Sequence, residues 1–284
     1  MAIVDTARSI AEDVFRPTAG AVDRADRVPA GLAGGCLATT FVWLQHFSAL
    51  RAAQGSRWYR PLARGQLRAG VVQAALRPGP PSVRARRVAG GYVFDGAAPW
   101  VTGWDLVDVL HAAARDEDGT VVWALLEAVA GDALTVELLD LVAVRASRTV
   151  VVRFDGYFVP DERVTRIHPY AEWAARDAAN LRLNGSLALG VTARCAALLD
   201  SVPLWEALDG CRSALDAGTP GIAEARAAAS ALAARAAAAL ATAHGARAVL
   251  RGSDAERSTR EALFLLVFGS RPAIKAALTG RLLS

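Results

Sequence analysis

The sequence is poor in the residues that most metal and thiol chemistry needs. Three cysteines, Cys36, Cys195 and Cys211, lie far apart with no paired spacing, which excludes a disulfide framework or a cysteine-based metal site as the expected reading. The four histidines, His46, His111, His168 and His244, are also scattered, so neither a metal centre nor a histidine-driven acid–base constellation is expected. Lysine occurs once, at Lys275; nearly every cation is an arginine. The net charge of +4 and the pI of about 9.3 arise from arginines interspersed with acids. The one dense basic cluster, Arg84, Arg86 and Arg87, falls in a strand-like stretch. That distribution reads as a coding bias with a solvated strand edge, and no nucleic-acid partner is expected. Long apolar runs are missing too. Hydrophobic residues make up 53% of the chain, yet none of its runs approaches the roughly 18 to 20 residues of a membrane span. Arg226 and Arg235 interrupt the alanine blocks at 225–243. The first residues lack the basic-then-apolar layout of a signal peptide, so the expectation is a cytoplasmic protein without a membrane partner.

What is present changes its period twice along the chain. Ile3, Val4, Ala7, Ile10, Ala11, Val14 and Phe15 recur at helical spacing across residues 3–25, with a break at Pro17. Residues 27–35, with Gly31, Gly34 and Gly35, read as an abrupt connection, and residues 36–54 as a buried helix. From 66 to 160, short runs of valine, threonine and aromatics alternate with Pro/Gly or Asp/Gly punctuation. The expected strands are 69–76, 83–88, 91–95, 107–114, 120–126, 134–140 and 148–155, with a hairpin turn at 116–119 and a stiff loop at 77–81. Helical spacing returns from about 171, chiefly over 181–199, 222–250 and 254–268. Ser253 reads as a helix start, and Gly269 with Pro272 as a stop. The expected fold is α+β: an N-terminal helical region (1–65), a small antiparallel β-barrel or sandwich (66–160) and a C-terminal helical bundle (161–284).

Residues 90–104 are the most informative stretch. An alternating strand from Gly90 to Gly96 leads into Trp100, Val101, Thr102 and Gly103. This layout suggests a flat aromatic surface beside a hydroxyl, which suits a ring cofactor. The segment resembles the glycine turn followed by Trp-(Ile/Val)-(Thr/Ser) of the acyl-CoA dehydrogenase superfamily of flavoproteins. Residues 108–115 look like the strand that follows it, and residues 152–163, with Phe154, Asp155, Val159 and Pro160, look like that family's exit from the β domain. Residues 183–190 resemble the first bundle helix and 260–264 part of the last one.

The resemblance implies FAD as cofactor, with Trp100 and Val101 against the flavin ring and Thr102 offering its hydroxyl to the reactive edge. It implies an oxidoreductase acting on an acyl-CoA-like thioester or a related small substrate, with an electron-transfer partner, in a homodimer or homotetramer or in a hetero-oligomer. Three departures stand against that pattern. At the position of the family's glutamate base stands Phe268, which cannot take a proton. Glu261, two turns upstream, is the candidate base, with Arg257 and Arg260 as its expected partners. The family's Thr-Glu-Pro…Gly-Ser-Asp loop is replaced by residues 75–82, which keep only the Ser82 hydroxyl, and Arg194, Arg212 and Arg226 are the candidates for the missing pyrophosphate clasp. The N-terminal helical part is short, which implies either a trimmed relative or a chain lacking a segment near residues 28–36. Two alternatives therefore stand beside the dehydrogenase reading: a flavin monooxygenase-like relative that needs no such base, and a catalytically degenerate subunit that pairs with an active partner.

Overall fold

A computed structural model describes residues 27–176 and 178–284. The helix expected over residues 3–25 lies outside the described residues. Two compact units are present. One holds Phe41–Asp140 and Arg145–Ala175. The other holds Leu141–Val144 and Arg176–Ser284 together with the described residues up to Thr40.

The first unit is built on an eight-stranded sheet. Its strands are β1 (Ala69–Val72), β2 (Val83–Val88), β3 (Gly91–Val101), β4 (Val109–Arg115), β5 (Thr120–Glu127), β6 (Leu134–Leu138), β7 (Val150–Pro160) and β8 (Val164–Pro169). They run in the order β6-β7-β3-β2-β4-β5-β8, with β1 added alongside β4. Most pairings are antiparallel, as the punctuation predicts. The exceptions are β1 on β4 and the single Arg84–Arg115 bridge from β2 to β4, both parallel. Val83 and Ala85 of β2 face inward while Arg84 and Arg86 face solvent, the period-2 alternation of a half-buried strand. The inward residues of β2, β3, β4, β5 and β7, among them Phe94, Leu110, Val122, Val152 and Phe154, gather into one core, so the sheet curls around a single apolar interior. β4 and β5 are buried on nearly every residue. Their second face packs under Leu62, Trp58 and Leu67 at one end and under Tyr170 and Trp173 at the other.

The second unit is a helical bundle. It includes α1 (Arg27–Gly35) and the start of α2 (Leu37–Ala52), then α5 (Ala178–Leu198), α6 (Val202–Asp216), α7 (Ile222–His244), α8 (Asp254–Val267) and α9 (Pro272–Leu283). The short helices α3 (Tyr59–Ala63) and α4 (Tyr170–Arg176) flank the sheet strands in sequence. Here the reading of 27–35 as a connection is corrected, because those residues are helical. Of the glycines that read as breakers, Gly34 lets α1 come onto α5 at backbone distance. A Cβ on Gly190 would run into the Ala30 carbonyl oxygen and lie 2.6 Å from the Ala33 Cβ, and a Cβ on Gly34 would stand 3.1 Å from the Gly190 carbonyl oxygen. The start of α8 follows expectation: the Ser253 hydroxyl accepts the Glu256 N–H at 3.1 Å. Pro272 is not only a stop, since it opens α9 at the position where a missing N–H costs nothing.

Candidate functional site

The expected cofactor shelf is the end of β3. Pairing with β7 shifts register between Ala98 and Val101, and this bulge turns Trp100 outward. Its φ of +67° is left-handed, a conformation that a bulky side chain adopts only under constraint. The indole is 55% exposed, whereas Val101 and Thr102 are each 1% exposed. One aromatic face is therefore presented to the outside while the next two residues are sealed beneath it.

The Thr102 hydroxyl is the first of three buried hydroxyls. Its Oγ1 lies 3.1 Å from Thr149 Oγ1, which lies 2.8 Å from Ser147 Oγ. Two backbone bonds run beside this chain, Gly103 N–H to the Ser147 carbonyl at 2.9 Å and Trp104 N–H to the Arg148 carbonyl at 3.0 Å. Asp105 and Arg148 then form an ion pair, and both have positive φ, +64° and +49°. Gly103 joins them at +97°, where an added Cβ would stand 3.0 Å from Val107 Cγ1. Non-glycine residues with left-handed backbone thus concentrate where the two segments meet. The 147–149 segment was not found from the sequence. Its only signal is a pair of hydroxyl residues two positions apart, and nothing in a sequence marks Trp100 or Arg148 as left-handed.

The other expected site residues are placed elsewhere. Glu261 of α8 is buried and pairs with Arg194 of α5, not with Arg257 or Arg260, which bind Asp254 and Glu256. The Arg194 guanidinium also donates to Ser258 Oγ at 3.1 and 3.2 Å and to the Gly34 carbonyl at 3.3 Å. The earlier expectation for its partners is corrected: helix geometry turns Glu261 inward, while Arg257 and Arg260 lie on the solvated side. Phe268 is half-buried and stacks on Phe264 with centroids 5.1 Å apart. The three candidate clasp arginines all have internal partners. Arg194 is held as above and Arg212 pairs with Asp209. Arg226 donates to Ser230 Oγ and, at 3.3 Å, to the Phe268 carbonyl. Burial lowers the Arg226 pKa to about 10, and its charge sits at the C-terminal end of α8, where the helix dipole is negative. Burial also raises the Cys195 thiol, keeping it protonated.

The replaced loop at 75–82 is tied down by the sheet. Arg115 donates to the Gly79 carbonyl and lies 4.4 Å over the Tyr170 ring, whose hydroxyl donates to the Leu76 carbonyl at 3.3 Å. Among the described residues no group of three or more His, Cys, Asp or Glu side chains has a metal-binding arrangement. No described helix is long and apolar enough to cross a membrane.

No protein-family model matches the sequence, and no curated protein does. Solved structures do resemble it. FkbI, for biosynthesis of the methoxymalonyl extender unit of the polyketide Fk520, is 18% identical with a TM-score of 0.77, over 92% of this chain and 84% of that one. Butyryl-CoA dehydrogenase from Megasphaera elsdenii is 14% identical with a TM-score of 0.75, over 90% and 80%. PigA with FAD and proline is 18% identical with a TM-score of 0.70, over 86% and 77%. N-terminal helices, a β domain and a helical bundle in this order make the chain an acyl-CoA dehydrogenase-like fold.

Proposed function

We propose that the chain is a flavin-dependent oxidoreductase of the acyl-CoA dehydrogenase type, binding FAD and acting on an acyl thioester or a related small substrate. One observation carries this reading: in this fold, an exposed indole is held in a left-handed conformation at the end of β3, two residues before a buried hydroxyl. A flat apolar ring fits such a shelf. The Trp100 indole supplies contact area and Val101 fixes the strand beneath it. The Thr102 hydroxyl, buried and bonded to Thr149, braces the shelf from beneath. Bound flavin would supply a two-electron acceptor. PigA, one of the similar structures, holds FAD. Arg194 and Arg226 have their donors committed inside the bundle, so the pyrophosphate end would be held by other groups, while Arg212 pairs with Asp209 at the surface. An electron-transfer partner and a homodimeric or homotetrameric assembly belong to the same proposal.

The sealed Glu261–Arg194 pair favours a second reading. With Glu261 engaged and phenylalanine at 268, neither residue is a free base, which suits an oxygen-dependent relative or a non-catalytic subunit. Titration of the purified chain with FAD tests the primary reading. Saturable uptake, weakened at least about tenfold in Trp100→Ala, is expected; no uptake by the unaltered chain rejects it. Anaerobic bleaching of the bound flavin by an acyl-CoA panel then supports the thioester substrate, and bleaching by none of them moves the assignment to the second reading.

A further inference from the structure

We infer that Ser147, Arg148 and Thr149 are positioning residues that hold Trp100 in its ring-presenting conformation. This inference rests on the flavin reading. A tryptophan does not adopt a left-handed backbone on its own, because its Cβ crowds the following carbonyl; the surrounding structure must over-determine the conformation. Among the described residues the restraint on the downstream side of Trp100 comes from the 147–149 segment. It consists of the hydroxyl contact from Thr149 to Thr102, the Ser147 and Arg148 carbonyls accepting from Gly103 and Trp104, and the Arg148–Asp105 pair. On the upstream side the β3–β7 ladder holds Ala98 against Val152, and on the downstream side it re-forms at Val101–Val150, next to Thr149. The segment therefore reaches the chain immediately after the strained residue and again through its own strand.

The links differ in how much each can hold. The Asp105–Arg148 pair is exposed at 55% and 41% of its side chains and contributes little against solvent screening. The hydroxyl contact is buried at both ends, so a Thr149 without its hydroxyl leaves Thr102 with a buried, unsatisfied group. Ser147 supports Thr149 from the other side at 2.8 Å. Thr149 is therefore the central member, Ser147 steadies it, and Arg148 contributes mainly through its carbonyl.

Two measurements test this on the full chain. The first is FAD affinity of Thr149→Val and Thr149→Ser. The valine variant is expected to bind about tenfold more weakly and the serine variant, which keeps the hydroxyl, close to the unaltered chain. The second is a double-mutant cycle in unfolding midpoint between Thr149→Val and Trp100→Gly. Glycine takes a left-handed φ without strain, so no strain is released there to offset the lost contact, and Thr149→Val is expected to lower the midpoint clearly more in the glycine background. Equal losses in both backgrounds, or a valine variant that binds FAD as the unaltered chain does, overturns the inference while the flavin reading stands. If the unaltered chain takes up no FAD, the flavin reading and the claim on the ring fall together, and the unfolding cycle alone decides whether the segment holds the Trp100 backbone.

Discussion

His111 lies flat against Trp123, with ring centroids 4.4 Å apart and planes 18° from parallel. The two side chains sit on the outer face of β4 and β5 within a small polar network. Trp123 donates its indole N–H to His168 Nε2 at 3.1 Å, so His168 must carry its proton on Nδ1, facing the Pro169 carbonyl at 3.0 Å. Thr165 donates to the Trp123 carbonyl at 3.3 Å, and His111 Nε2 donates to Thr165 Oγ1 at 3.1 Å. That leaves His111 Nδ1 buried without a partner.

A second proton on His111 would place an N–H where no acceptor stands, and burial pushes its pKa from 6.5 down to about 3. The folded-state value lies below the unfolded one. The unfolded chain therefore takes up this proton first as pH falls through 6.5, and stability present above 6.5 is lost progressively toward pH 3. Unfolding free energy is expected to drop by about 2 to 3 kcal/mol between pH 7 and pH 4.5 from this residue. His111→Phe keeps the stack and removes the titration. Its pH profile in chemical denaturation should be shallower, with residual slope from His46, also lowered by burial; parallel profiles would reject the assignment.

Glu261 is predicted to be a structural carboxylate. Replacing it by glutamine leaves the Arg194 guanidinium buried without its counter-ion, a loss of about 3 to 5 kcal/mol. Replacing both by apolar residues of similar volume, Arg194→Met with Glu261→Leu, should cost clearly less than Glu261→Gln alone. A Glu261→Gln variant with unaltered unfolding midpoint but abolished substrate-dependent flavin bleaching would instead make Glu261 the base.

Gly190→Ala is expected to destabilise the bundle by about 1 to 3 kcal/mol, because its added carbon meets α1 backbone and no flexible side chain can yield. Gly210→Ala on α6 is the matched control. Nothing lies within 4 Å of the new carbon there, and the change should stabilise by up to about 1 kcal/mol through helix propensity. Thermal unfolding of the pair checks both signs. Equal effects would mean that α1 does not pack on α5 at backbone distance.

Local rules recovered the parts of the fold that depend on local chemistry. The 116–119 turn formed as written, with Asp116 Oδ1 accepting the Thr120 N–H at 2.7 Å. The alternation in β2 and the long alanine helix α7 were equally readable. Where the reading failed, a distant partner overrode the local signal. Gly34 looks like a breaker until Gly190 is brought against α1. β8 carries Thr165, Arg166 and His168 on a short run without clean alternation, because Thr165 and His168 are bonded by His111 and Trp123 across the sheet and Arg166 pairs with Glu172. At the candidate site, Trp100, Val101 and Thr102 were legible because they are contiguous. Thr149 and the Arg194 partner of Glu261 were not, since their proximity comes only from the completed fold.

The left-handed backbone at Trp100 has a meaning for how this chain changes over generations. Glycine or asparagine at position 100 would relieve the strain at once, and single-base drift continually samples substitutions that do no harm to folding. A chain with no use for the indole would accumulate such replacements, since they raise its unfolding free energy. Natural variants at this position therefore report directly on whether a ligand still leans on the ring: retained tryptophan marks selection acting from outside the folded chain, and glycine marks its release.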